Sequence, residues 1–407
     1  LCAEPAIPQS FASLCAIYGT INELLEQYEQ NIESVVSYVM SKITLESLAI
    51  IEICLKIFAD LAEALSDAVK PYVEQILQIA FQLLTQFPKV EIQSEAVNLI
   101  SGVFESIDLE PSFVIPHISN LVGLFSSASE ELQPLLMGAI ANGILACQDG
   151  IEPFVESFFP VIQAGMASQN PVLLASTIEV YGNLLYCANN LPPDFIAQGI
   201  EFISTYSQDD DYSLRVCSLN AFRRIADKKN GTLPNSQLEF WTFLLMSAIN
   251  AAGVVDDDKE RGITDYKETD VREAGSALLK SMLKNHPQET LASRLTESLP
   301  IHFSIFIDYD ELPVALKTIQ ASVYYLLNIN PKDSVILDLY LKIITQKKNR
   351  DKVAAVFKAY TKLLNRGQEL AKDAAYLPKF LECCLHALSR QLPCQTSKCV
   401  DEEERFN

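Results

Sequence analysis

The stretch Pro71-Tyr-Val-Glu-Gln-Ile-Leu-Gln-Ile-Ala-Phe-Gln-Leu-Leu84 returns in altered form as Pro111-Ser-Phe-Val-Ile-Pro-His-Ile-Ser-Asn-Leu-Val-Gly-Leu-Phe125. What is kept is a pattern. Tyr72, Phe113, Phe154 and Phe195 stand 41 residues apart over three intervals, each just after a proline (Pro71, Pro111, Pro153, Pro193). Five positions on come Leu77, Ile118, Phe159 and Ile200, and eight on come Ala80, Leu121, Ile162 and Ile203. Twelve on are Leu84, Phe125, Met166 and then Ser207, which breaks the series. These offsets lie on one stripe of a helix with 3.6 residues per turn. The preceding proline suits a first helical turn, where its missing N–H costs nothing. The pattern predicts four equivalent helices, with Phe154 a core residue of the third.

A second helix is predicted between consecutive stripes: Glu46–Leu65, Ile92–Ile107, Gln133–Cys147, Leu173–Cys187 and Ser213–Ala226. Gly102 and Gly143 recur at the same 41-residue interval and Gly182 falls 39 further on, which predicts close helix–helix approach at all three. A period near 40 built from helix pairs marks a stacked array, because one pair cannot bury its apolar face alone. Residues 1–285 read as the regular array, with an insertion stretching the repeat at 236–285. Residues 286–391 read as looser helical repeats continuing it, and 392–407 as an acidic, disordered tail.

Leu1 and Asn407 read as cuts inside a longer protein. The longest uncharged run, Ser157 to Ile178, is interrupted by Pro160, Gln169, Asn170 and Pro171. A membrane span needs about 20 apolar residues without such breaks, so the run reads as two buried helices and a turn. Ten cysteines follow no framework, and Cys54, Cys147, Cys187 and Cys217 fall at apolar helix positions. That is free-thiol usage and points to cytosol or nucleus.

Charge is lopsided. Residues 1–200 carry four lysines, no arginine and 23 acidic residues, a balance of −19 within a total of −21. Such a field repels nucleic acid and anionic membrane and attracts basic partners; the same charge also serves as a solubility surface, and both readings stand.

Two segments name a family. Asp211-Tyr-Ser-Leu-Arg215-Val-Cys-Ser-Leu-Asn-Ala221 and Asp270-Val271-Arg272-Glu-Ala274, with Leu278 and Leu279, resemble the second helix of a HEAT repeat. There an aspartate precedes a Val-Arg pair, with Ala and Leu along the buried face. The resemblance implies an all-α fold, a right-handed alpha-alpha superhelix. Long repeats, acidic balance and an acidic insertion are most similar to the karyopherin (importin-β) nuclear transport receptors. That likeness implies a protein shuttling between cytoplasm and nucleus, with a basic protein cargo, a Ran-type small GTPase and Phe-Gly nucleoporins as partners, and no nucleic acid and no membrane insertion. A constitutive HEAT scaffold subunit, like those of phosphatase assemblies, is the rival reading.

The insertion Ala251–Thr269 holds Asp256, Asp257, Asp258, Glu260 and Asp265. Loops of this length are functional or disordered; it reads either as an acidic loop engaging a basic partner segment or as a solvated insertion. Trp241, with Phe240 and Phe243 on the same first helix, reads either as core or as part of an outer pocket for Phe-Gly repeats. Asp209-Asp210-Asp211 reads as a helix cap, lacking the spacing of a calcium loop. Cys383, Cys384, His386, Cys394 and Cys399 lack the spacing of a zinc site. No nucleophile elbow, phosphate loop or dinucleotide fingerprint occurs, so neither enzyme nor cofactor is expected.

Overall fold

The computed structural model describes residues 6–43, 47–228, 238–252, 267–287, 298–346 and 349–389. Among them there are 21 α-helices and no strand: the protein is an all-α solenoid of HEAT type. The chain divides into two compact units, residues 1–199 and 200–407.

The first unit begins with α1 (Ala6–Thr20), α2 (Leu25–Gln30), α3 (Ile32–Lys42), α4 (Leu48–Ala64) and α5 (Ser66–Val69). A 3-10 turn, Lys70–Tyr72, leads into α6 (Val73–Gln86), α7 (Val90–Ser106), α8 (Pro111–Phe125) and α9 (Gln133–Cys147). A longer 3-10 segment, Gln148–Phe158, precedes α10 (Phe159–Met166) and α11 (Pro171–Cys187), and the division falls inside α12 (Pro193–Tyr206). The second unit continues with α13 (Tyr212–Asp227), α14 (Leu238–Ala252), α15 (Glu268–Asn285), α16 (Leu299–Phe306) and α17 (Leu312–Asn328). It closes with α18 (Ser334–Gln346), α19 (Arg350–Asn365), α20 (Glu369–Lys372) and α21 (Leu377–Leu388).

Helices pair as the period predicts: α6 with α7, α8 with α9, α10 with α11, and beyond them α14 with α15, α16 with α17 and α18 with α19. Each second helix also packs on the next one. In the first unit α4, α7, α9 and α11 stack in succession, and in the second α13, α15, α17 and α19 do so. A second helix must therefore be apolar toward two neighbours and its own partner, and α11 buries Leu173, Leu174, Ile178, Tyr181, Leu184 and Leu185 among others. The uncharged run at 157–178 is α10, a turn and α11, and no described helix is long and apolar enough to cross a membrane.

Local signals place the helix ends. The Asn170 carboxamide accepts from the N–H groups of Val172 at 3.0 Å and Leu173 at 3.5 Å, with Pro171 opening α11. Asp211 does the same for α13, accepting from Ser213 N at 2.8 Å and Leu214 N at 3.4 Å. The triple aspartate is a cap. Asp270 lies inside the first turn of α15, where its carboxylate accepts from Lys267 N at 2.7 Å. Helix α19 ends at Gly367, whose φ of 78° needs the freedom of glycine; Gln368 N donates to Leu363 O at 3.1 Å and Gly367 N to Leu364 O at 3.0 Å.

The aromatic stripe needs correcting. Phe154 is not a core residue of an α-helix: it lies in the 3-10 segment and is 38% exposed. Pro153 removes an N–H and crowds the carbonyl four residues earlier, so the backbone tightens into 3-10 geometry. Tyr72 also ends a 3-10 turn, half-buried, and only Phe195 of the four is buried, stacked on Tyr181 at 4.6 Å and Phe159 at 4.7 Å. The buried register begins one residue later, at Val73, Val114, Val155 and Ile196, none more than 8% exposed. The series at Ala80, Leu121, Ile162 and Ile203 is buried throughout, and Ser207 is buried with its hydroxyl donating to Ser204 O at 2.9 Å.

The glycine expectation holds in part. A Cβ on Gly143 would meet Ile118 at 2.6 Å, so helices do approach closely there, whereas Gly102 has open space. Cys54, Cys147, Cys187 and Cys217 are buried thiols, and burial pushes the Cys54 thiol up to about 12 and that of Cys147 to about 11. They are inert core groups.

Candidate partner-binding surfaces

Three surfaces stand out: the charged second-helix layer of each unit, and the apolar side chains that the first helices leave exposed.

In the first unit the acid excess is left almost unneutralised. Lys56 on α4 bridges Glu52 at 2.6 Å and Glu95 of α7 at 3.6 Å, and it is the one lysine of this unit in an ion pair among the described residues. Burial, and then the neighbouring Glu63, raise the Asp60 carboxyl above its usual range. Glu105 accepts from Asn142 of α9 at 3.3 Å, and Glu152 accepts from Asn189 N at 3.2 Å, closing the loop after α11.

In the second unit the arginines of the two HEAT-like segments point along the stack. Arg272 on α15 is 8% exposed; it pairs with Glu268, donates to Tyr309 and lies 3.7 Å from Glu311, the residue before α17. Burial raises the Glu311 carboxyl and Arg272 opposes it. Arg215 on α13 is half-buried, which lowers its guanidinium, with Tyr212, Asp210 and Glu268 acting against that shift. Each arginine thus faces acids at the start of the next second helix. Arg272 thereby couples its own repeat to the next.

Farther along the same layer, α15, α17 and α19 enclose a groove of about 430 Å³. Its rim carries Lys280, Lys358 and Lys362, its floor Ile319, Val323 and Ala355, and its one carboxylate is Asp351. Lys362 Nζ donates to Tyr324 OH at 2.7 Å and sits 4.1 Å from the ring centroid, and Lys280 Nζ donates to Gln320 at 2.8 Å. A second depression shares Lys358 and Lys362 and adds Arg366.

On the first helices, Ile301 and Ile305 of α16 are 66% and 54% exposed. Val335 on α18 and Leu381, Leu385 and Leu388 on α21 are exposed as well. Ile301 and Ile305 stand one turn apart and form a single apolar stripe.

Asp256, Asp257, Asp258, Glu260 and Asp265 lie outside the described residues, as do Cys394 and Cys399. So does the side chain of Trp241, whose backbone belongs to α14. Its neighbour Phe243 packs edge-on against Phe222 of α13, ring centroids 5.8 Å apart. The basic groove escaped the sequence reading, although a signal exists: Lys317 and Lys358 are 41 residues apart, and Lys280/Lys284 and Lys358/Lys362 are each one helical turn apart.

No family profile and no curated protein sequence matches the chain. Solved structures do. The crystal structure of Kap121p matches 95% of this chain with a TM-score of 0.75 at 13% identity, over 41% of Kap121p. The karyopherin Kap121p bound to the extreme C-terminus of the protein phosphatase Cdc14p matches 92% of the chain with a TM-score of 0.65 at 13% identity, over 42% of that protein. Kap95p bound to RanGDP matches 95% with a TM-score of 0.58 at 11% identity, over 49% of its length. The chain therefore has the HEAT-repeat, importin-β-like fold, and it spans under half the length of each of these karyopherins.

Proposed function

We propose that this chain is part of a nuclear transport receptor that binds a basic protein cargo and Phe-Gly nucleoporins under control of a Ran-type GTPase. The observation that carries the reading is the likeness to Kap121p along 95% of the chain. Supporting it, Kap121p is seen bound to the extreme C-terminus of the protein phosphatase Cdc14p, and Kap95p binds RanGDP. The physical features of the chain agree. The −19 balance of residues 1–200 draws lysine-rich segments by long-range attraction, and Ile301 and Ile305 offer first-helix apolar surface on which a phenylalanine ring buries favourably. Asp256, Asp257, Asp258, Glu260 and Asp265 are proposed as an acidic contact for the same cargo, and Trp241 as a nucleoporin contact. The protein shuttles, on this reading, between cytoplasm and nucleus.

Partition into a Phe-Gly repeat hydrogel tests the reading. A transport receptor enters faster than an inert protein of equal size, and Ile301→Ser with Ile305→Ser slows entry. Exclusion equal to that of the inert protein overturns the reading and favours a constitutive scaffold.

A further inference from the structure

We propose that the groove between α15, α17 and α19 is a docking site for an acidic peptide segment of a protein partner, its carboxylates held by Lys280, Lys358 and Lys362 and its apolar side chains on the floor between them. The proposal stands apart from the transport reading and applies equally to a scaffold.

Two observations carry it. The first is an accumulation of cations without counter-ions in a strongly acidic protein. Among the described residues Lys280, Lys284, Lys358 and Lys362 form no ion pair, while Lys317 and Lys342 find Glu273 and Asp308 at 3.5 and 3.1 Å. Asp351 is the one acid in the groove lining, and Asp227 acts on Lys280. Holding like charges together is unfavourable, and it shows in the groups themselves. Burial, then Lys317 and Lys284, lower the Lys280 ammonium, with Tyr324 and Asp227 opposing. At Tyr324 burial acts to raise the phenol, and the hydrogen bond and charge of Lys362, with Lys284 and Lys280, outweigh it and bring it down. An anion seated here relieves this repulsion.

The second is the floor. Ile319, Val323 and Ala355 give the groove an apolar base, in a space of about 430 Å³. A phosphodiester backbone has nothing to place there, whereas a segment alternating carboxylates with aliphatic side chains uses both parts. Net charge selects in the same direction. At −21 the protein repels a long polyanion, yet screening beyond about 8 Å leaves a short acidic segment to the local field of the lysines.

The experiment is fluorescence anisotropy with the whole chain and a labelled short peptide alternating Asp and Glu with Leu, against the same peptide carrying Asn and Gln. The acidic peptide binds, loses affinity as salt rises, and loses roughly tenfold on Lys358→Glu with Lys362→Glu. The exposed control Lys89→Glu in the first unit leaves binding unchanged. The pair Lys358→Gln and Lys362→Gln serves should charge reversal unfold the protein. Equal binding of the amide peptide, no loss in the groove variants, or tighter binding of a single-stranded oligonucleotide of equal charge overturns the proposal.

Discussion

Asn183 Nδ2 on α11 donates to the carbonyl oxygen of Ala141 on α9 at 2.8 Å, and Asn142, 41 residues before Asn183, reaches back in the same sense to Ser101 Oγ on α7 at 3.1 Å. One residue type at one interval thus ties successive second helices. The second unit uses related devices: Ser276 and Thr318 hydroxyls meet at 3.2 Å, and Asn328 and Asn285 donate to Leu283 O at 2.8 Å and Ala226 O at 3.1 Å. The last two satisfy carbonyls that a helix C-terminus leaves unpaired.

Asn183→Ala should lower stability by about 1–3 kcal/mol, the cost of losing a buried hydrogen bond, because Asn183 is only 1% exposed. In an array of nearest-neighbour interfaces the loss should appear first as faster amide exchange in α9 and α11. Uniform acceleration along the chain would show that the stack is one cooperative block.

Phe154→Ala should cost less than about 1 kcal/mol, as an exposed change. Phe158→Ala, at a side chain 2% exposed, should cost about 3–5 kcal/mol. Urea unfolding of the two variants separates the stripe read from spacing from the stripe actually buried.

His302 on α16 is 6% exposed and lies against the rings of Phe303 and Phe306, and burial holds its imidazole down to about 4. The neutral form is favoured in the folded chain, so its stabilisation is full above the unfolded value near 6.5 and is lost as pH falls toward 4. The span corresponds to about 3 kcal/mol. His302→Phe should remove that part of the acid slope, read as the difference in urea midpoint between variant and parent across this window.

Arg272→Met should cost about 3 kcal/mol, because Glu268 and Glu311 lose the cation that offsets their burial. Adding Glu311→Gln should recover part of the loss, and a double-mutant cycle gives the coupling. Strict additivity would show that Arg272 acts by packing alone.

The sequence by itself determined the all-α class, the helix pairing, the 41-residue register, the cap at Asp211 and the burial of the helix cysteines, because each follows from local chemistry: periodicity, breakers, capping side chains and apolar positions. It did not determine which member of a stripe faces inward. A shift of one residue rotates a helical position by about 100°, enough to leave Tyr72, Phe113 and Phe154 off the buried stripe and to put Val73, Val114 and Val155 on it, whether the segment is α-helical or 3-10. Nor did it reveal the basic groove. Lys280, Lys358 and Lys362 are 82 residues apart end to end and look like ordinary solvated helix positions until α15, α17 and α19 stack side by side. Charge can be counted along a chain, but where charges meet depends on distances that only packing sets.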